Sequence, residues 1–225
     1  MDAGELDLIK RLAGPHRVYA AGADLCASTT GRSSLKLIMS GWAARTRVLR
    51  DGRRQIFSFL IPGDVVSLRH RADGWSSTAV TAITRIEAVE AGGLCDDIER
   101  RLGGCSSLSK ACAAAAASED DILLAQVVRL GVQDAGERMA HLFLELHARL
   151  DRIGLCKGFS FSLPLKQEHL AEMLGMSLVH VNRTLQRLRL DGLVELKSGR
   201  LTILQPRQLA WIAQYETVGD LLAAE

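Results

Sequence analysis

The chain has 225 residues, of which 48% are hydrophobic and 24% charged, with a formal net charge of +2. These values suit a globular protein of one large or two modest domains with real cores. No apolar run approaches the roughly 18 residues of a membrane span, and Met1–Lys10 has three acids and no hydrophobic block, which excludes a signal peptide; the expected compartment is the cytoplasm.

From Val18 to about Val89, short apolar runs alternate with Gly, Asp and Ser. Leu35–Met39 is followed by Ser40-Gly41, then Trp42–Leu49, Asp51-Gly52 and Gln55–Ile61, with Pro62-Gly63-Asp64 closing the series. Strands separated by turn dipeptides at this spacing predict a β-barrel or sandwich. Asp51-Gly52 between two strand-like runs is a hairpin signal.

After Gly92 the composition changes, and residues 94–151 are rich in Ala, Leu, Glu and Arg without proline. Leu123, Val127 and Leu130 step by four and three, a stripe that predicts one side of a dimer seam. Gly131 and Gly136 bracket a break, and Glu137–Leu150 forms a second helix with Met139, Leu142, Phe143 and Leu146 on one face. Lys157–Leu165 reads as extended. Helix Lys166–Leu174 follows, then Gly175, then Ser177 capping a helix that runs to about Asp191, where Gly192 is a stop signal. Val194–Lys197 and Arg200–Ile203 alternate around Ser198-Gly199, predicting a hairpin or "wing", and Pro206 to about Tyr215 is a final helix.

Helix, glycine turn, serine cap and second helix form the layout of a helix-turn-helix, whose second helix enters the DNA major groove. Val181, Leu185 and Leu188 would face the first helix. Leu178, Val179, Asn182, Arg183 and Gln186 then occupy the opposite face. Arg183 can donate a bidentate pair to guanine, Asn182 and Gln186 can pair with adenine or phosphate, and Val179 can touch a thymine methyl. His180, Arg187 and the Ser177 cap lie nearer the phosphates, and Lys197, Ser198 and Arg200 bring the wing tip to the backbone. Residues 157–209 hold eight basic and four acidic side chains, so the positive excess lies on this segment.

The five cysteines, at 26, 95, 105, 112 and 156, contain no Cys-x-x-Cys and no metal-binding spacing. Cys105 and Cys112 could share a helix face and cross-link under oxidation, with Cys156 as a further redox candidate; the simpler reading is small buried side chains. No nucleophile elbow or phosphate-cradling glycine loop occurs, so an enzyme is not expected.

On these residues the chain resembles the Crp/Fnr family of bacterial transcription regulators. Ser40-Gly41-Trp42, Asp51–Gln55 and Ile61–Asp64 look like the family's β-roll. Gly136–Ala140 looks like the start of its DNA-binding domain, and Leu163–Ile203 like its winged helix-turn-helix. The resemblance implies an α+β protein with a cyclic-nucleotide-binding-like β-roll at 1–103, a dimerisation helix at 104–132, a winged helix-turn-helix at 133–209 and a tail at 210–225. It further implies a homodimer on double-stranded DNA with a pseudo-palindromic site, RNA polymerase as a second partner, no membrane, and either activation or repression.

Three departures from the family pattern bear on the input signal and the operator. Relatives that bind cyclic AMP carry Gly-Glu and then Arg-Ser, whereas this chain has Gly63-Asp64-Val65 and then Ser76-Ser77-Thr78 without arginine; Arg69 and Arg71 sit in an apparent loop. The adenine-facing hydroxyls of the dimer helix correspond to Leu123 and Leu124. These eight residues outline the candidate effector pocket, and they argue against standard cyclic AMP binding. Cys26 alone cannot supply an N-terminal iron–sulfur cluster, and His70 is the one histidine suited to haem, so no cofactor is assigned. Val179 stands where many relatives carry a cytosine-reading Glu. The alternative reading is a sensory ligand- or protein-binding module with degenerate DNA binding.

Overall fold

The structure is a computed structural model that describes residues 14–26, 35–66, 78–91 and 107–215, without the side chains of 107–109 and 112. It divides into two compact units, Met1–Leu124 and Ala125–Glu225.

The first unit is built from β1 (His16–Tyr19), β2 (Lys36–Ser40), β3 (Ala43–Val48), β4 (Arg54–Leu60), β5 (Val65–Val66), β6 (Thr78–Ala82) and β7 (Ile86–Glu90). They form two antiparallel sheets with strand orders β1-β7-β2-β5 and β4-β3-β6. Ile38, Val66, Ile86 and Ala88 from the first sheet meet Ala43, Leu60, Val80 and Ala82 from the second in one apolar cluster, with Leu25. Period-two alternation puts these side chains on the inner faces, as a two-sheet roll requires.

Two glycine turns shape the roll for different reasons. Asp51-Gly52 joins β3 to β4, with the Leu49 N–H donating to the Arg53 carbonyl at 2.8 Å. Gly52 has φ +85°, and a Cβ there would meet nothing within 4 Å. Gly41, at φ +89°, lies against β7, and a Cβ there would fall 2.1 Å from the Arg85 carbonyl oxygen. Beside it the Trp42 N–H donates to Thr84 Oγ1 at 2.9 Å, so backbone and side chain close this corner together.

Helix α1 (Ser107–Val132) begins in the first unit and ends in the second. Helix α2 (Ala135–Arg152) follows after two residues. It starts earlier than the glycine at 136 suggests, because Asp134 Oδ1 accepts from the Glu137 N–H at 2.9 Å while Glu137 Oε2 accepts from the Asp134 N–H at 2.8 Å. This reciprocal capping box sets Gly136 inside the first turn. Met139, Leu142, Phe143, Leu146 and Leu150 of α2 are buried. Around them lie β8 (Ser160–Ser162), α3 (Gln167–Leu174), α4 (Leu178–Leu190), β9 (Val194–Lys197), β10 (Arg200–Ile203) and α5 (Pro206–Ala213). The three strands form an antiparallel sheet of order β8-β10-β9. This is the α+β fold expected from the sequence, a β-sheet unit followed by a winged helix-turn-helix.

Gly41→Ala combines backbone strain with a clash against main chain and should destabilise the first unit by about 2–4 kcal/mol. Gly52→Ala meets open space and should cost only about 1–2 kcal/mol. Chemical unfolding of the two variants checks this order; equal losses would refute the close approach at Gly41.

Candidate nucleic-acid interface

Helices α3 and α4 meet at a turn in which Gly175 has φ +63° and its N–H donates to the Ala171 carbonyl. A Cβ at Gly175 would also lie 3.1 Å from Leu130 Cδ2 at the end of α1. Glycine is therefore needed both for the left-handed conformation and for the approach of α1. At the start of α3 the Lys166 N–H donates to His169 Nδ1 at 3.1 Å. At the start of α4, Ser177 Oγ accepts from the His180 N–H at 3.2 Å.

Helix α4 is sharply two-faced. Val181, Thr184, Leu185 and Leu188 are buried, so the apolar face expected from the spacing is joined by Thr184. Leu178, Val179, His180, Asn182, Arg183, Gln186 and Arg187 are all exposed. Arg187 Nε lies 3.8 Å from Asp191 Oδ2 on the exposed surface, a pair of little energetic weight. The wing places Lys197 directly opposite Arg200, and its turn residues Ser198 and Gly199 have φ +51° and +72°. Both values are positive, as a two-residue type I′ turn requires. Lys197, Ser198 and Arg200 are exposed, so wing and α4 offer cationic and amide groups without burying them.

What holds α3, the first helix of the pair, in place could not be read from its own sequence. Arg129 on α1 is 0% exposed. Its Nη1 lies 2.5 Å from Glu145 Oε2 on α2, and its Nε donates to Gln126 Oε1 at 3.0 Å. Glu145 Oε1 accepts from Arg149 Nη1 at 3.0 Å. Gln126 Nε2 donates to the Met173 carbonyl of α3 at 2.6 Å. Arg138 donates to three main-chain carbonyls, those of Gln133 at 2.8 Å, Leu174 at 3.1 Å and Leu130 at 3.3 Å. Each is a carbonyl near a helix C-terminus, which otherwise lacks an intrahelical partner. The end of α1, α2 and the C-terminus of α3 are thus tied by charge-assisted bonds.

Gln133 extends this array, donating from Nε2 to the Ala213 carbonyl at 2.9 Å and to His141 Nδ1 at 3.1 Å. Burial, reinforced by the positive charge of Arg129 and opposed by Glu145, lowers the His141 pKa to about 4. His141 is therefore neutral near pH 7, as its accepting Nδ1 requires.

The other anticipated residues are placed as follows. On α1, Leu123 and Leu130 are half-buried and Val127 is 67% exposed. The exposed apolar set is Leu124, Val127, Val128 and Val132. With Gly131, the first three fall at helical spacings of three and four, a stripe turned slightly from Leu123/Val127/Leu130, because Leu130 packs toward Gly175. In the candidate effector pocket, Gly63 has φ +91°, and the Asp64 carboxylate accepts from the Ile61 N–H at 2.7 Å, which shapes the turn before β5. Val65 is half-buried and Thr78 exposed. Near Val65 the sequence reading missed Arg45, which reaches the Val65 carbonyl at 3.5 Å and pairs with Glu119 of α1. Ser76, Ser77, Arg69, His70, Arg71, Cys95 and Cys105 and the side chain of Cys112 lie outside the described residues. Cys156 is half-buried; burial, then Asp151, push its thiol up to about 11. A thiol held that high is protonated near neutrality and a weak nucleophile.

Residues 137–212 match the Crp-like helix-turn-helix domain. The chain is 26% identical to the nitrogen fixation regulation protein FixK of Bradyrhizobium diazoefficiens, over 95% of this chain and 87% of that protein. It is 27% identical to the transcriptional activator protein FnrL of Cereibacter sphaeroides, over 84% of this chain and 75% of that one. Residues 137–212 thus carry a Crp-like helix-turn-helix domain, and the chain as a whole is similar to these regulators. Its fold matches the solved structure of FixK2 from Bradyrhizobium japonicum with a TM-score of 0.73 at 23% identity, covering 89% of this chain and 96% of that one. A CooA mutant from Carboxydothermus hydrogenoformans superimposes with a TM-score of 0.68 at 18% identity, over 92% and 90% of the two chains. The relatives are named as a regulation protein and a transcriptional activator. Among the described residues, no helix is long and apolar enough to cross a membrane.

Two stability measurements test this framework. Glu145→Gln leaves the buried Arg129 guanidinium without its counter-charge and should cost about 3 kcal/mol or more, whereas Arg187→Ala on the surface should change stability by about 0.5 kcal/mol or less. For His141, the unfolded chain binds a proton below its usual value of 6.5 while the folded chain does so only near 4. Stability is complete above pH 6.5 and falls as pH drops from 6.5 toward 4, by on the order of 2 kcal/mol. Urea unfolding of wild type and His141→Leu at pH 7.5 and 4.5 reads this slope; an unchanged slope in the variant would overturn it.

Proposed function

We propose that the chain is a DNA-binding transcription regulator of the Crp/Fnr type, acting as a cytoplasmic homodimer that reads a pseudo-palindromic operator through α4. The observation that carries the reading is the exposed edge Asn182–Arg183–Gln186 on a helix whose opposite face is locked into the domain. Arg183 pairs with guanine O6 and N7, Asn182 and Gln186 with adenine or phosphate, and Val179 and Leu178 touch thymine methyls. Ser177, His180, Arg187, Lys197, Ser198 and Arg200 set register on the phosphates.

Dimerisation is supported by the apolar residues left open on α1, among them Val127 at 67% and Val132 at 80% exposed. A two-fold dimer requires a two-fold site, with half-sites about 34–36 Å apart. The input enters through the β-roll pocket around Gly63, Asp64, Val65, Thr78, Leu123 and Leu124. The Arg45–Glu119 pair, which joins β3 to α1 within the first unit, supports that route. Arg45 is already neutralised by Glu119, so standard cyclic AMP binding is not the reading favoured here. RNA polymerase is the second macromolecular partner.

Selection from random duplexes should enrich an inverted repeat. On that site, Arg183→Ala should lose about 1–3 kcal/mol and relax one base position. Lys197→Ala should weaken all sequences about equally and lower the salt slope by about 1. Val127→Asp with Val128→Asp should give a monomer in sedimentation and abolish preference for the inverted repeat. No enriched motif from selection, or a dimer undisturbed by the paired aspartates, would refute the respective parts.

A further inference from the structure

A second cluster of polar side chains lies at the far end of α2, where the helix turns into β8. His147 is 3% exposed, and its Nε2 lies 3.1 Å from the Gly158 carbonyl. A carbonyl can only accept, so Nε2 is the donor of this pair. Nδ1 is buried and has no hydrogen-bond partner. The Phe159 ring stacks on the imidazole with centroids 5.0 Å apart and planes at 20°, which fixes its orientation. One turn further along α2 stands Asp151, exposed, and the following turn brings back Cys156, whose Sγ sits 3.6 Å from the His147 carbonyl. One donor atom each from His147, Asp151 and Cys156 lies within 4.8 Å of the others.

We propose that His147, Asp151 and Cys156 bind one borderline divalent transition-metal ion, zinc foremost. Imidazole, thiolate and carboxylate together select this class over magnesium or calcium, which take oxygen donors. Three protein ligands leave a fourth position for water. The His147 ring already has the arrangement of a metal ligand, one nitrogen donating to a main-chain carbonyl and the other bare. Metal–ligand bonds of about 2.0–2.3 Å place tetrahedral donors roughly 3.3–3.7 Å apart. Rotation of the exposed Asp151 carboxylate and a small adjustment of the turn supply the contraction. On binding, the Cys156 thiol releases its proton to solvent and its sulfur bonds the ion, so two anionic ligands balance the two positive charges. Without a metal, the thiol proton is retained through burial and the neighbouring Asp151 charge; the cation removes the second of these causes.

The site escapes sequence reading because a His and an Asp four apart are common on any helix, and the third ligand lies beyond a turn. The helix supplies two of them one turn apart, and a turn with Gly154 at φ +72° folds the third back. Metal binding would pin this turn to α2 next to β8, which pairs with wing strand β10. The inference does not depend on the operator or on dimerisation.

The test is titration of the reduced, chelator-stripped full chain with Co²⁺ and then Zn²⁺, for wild type, Cys156→Ser and Asp151→Asn. The expected result is one Co²⁺ per chain with a sulfur-to-cobalt charge-transfer band, about one proton released per ion, and bleaching by equimolar Zn²⁺. Cys156→Ser should lose the band, and Asp151→Asn should keep it with affinity reduced about tenfold or more. No band in wild type, or an undiminished band in Cys156→Ser, overturns the site. Should Cys156→Ser fail to fold by circular dichroism, the exposed Asp151→Asn decides, and unchanged Co²⁺ affinity there overturns the proposal.

Discussion

A guanidinium without solvent has to be neutralised where it stands, and Arg129 is such a group. Leaving it unpaired would cost several kcal/mol, so the winged-helix unit is built around Glu145 and Gln126 meeting it in one geometry, with Arg149 holding the other oxygen of Glu145. Gln126 in turn holds the Met173 carbonyl at the end of α3, and Arg138 holds that of Leu174. The last turns of α1 therefore belong energetically to the helix-turn-helix. Helix α4 then packs through its own buried face, Val181, Thr184, Leu185 and Leu188, which leaves Asn182, Arg183 and Gln186 outward. The polar network around α3 is directional where apolar packing is not.

On the proposed reading, α1 would carry the signal within the chain. It begins in the unit that holds the β-roll and ends in the unit that holds α4. At Glu119 it pairs with Arg45 of β3, and at Gln126 and Arg129 it enters the network around α3. A change in the roll that shifted Glu119 would be imposed on a helix whose other end is fixed by buried charges. On the proposed reading, the exposed stripe of Leu124, Val127 and Val128 would transmit such a shift to a second copy.

The helix-turn-helix was legible because its signals are local. Gly175 supplies a left-handed turn, Ser177 a cap, and Val181, Leu185 and Leu188 a face, each readable within a few residues. The hairpins at Asp51-Gly52 and Ser198-Gly199 were legible for the same reason. What could not be read depends on partners distant in sequence. Arg129, Arg138 and Glu145 look like ordinary solvated helix charges until α3 is packed against them. Leu130 fits a dimer stripe by spacing, yet its side chain is drawn toward Gly175. The start of α2 was misplaced because Gly136 suggests a break, while the reciprocal bonds of Asp134 and Glu137 decide otherwise. Cys156 attracted a redox reading as a lone thiol, and its neighbours His147 and Asp151 emerged only with the fold.

The central claim is that Arg183 contacts a guanine from the major groove, once in each half of a symmetric site. Methylation interference at guanine N7 tests it most directly, on the selected operator with wild-type and Arg183→Ala protein. The account predicts one guanine per half-site whose methylation blocks wild-type binding and has no effect on the variant. Identical interference patterns for the two proteins, or no interference in either half, would contradict it.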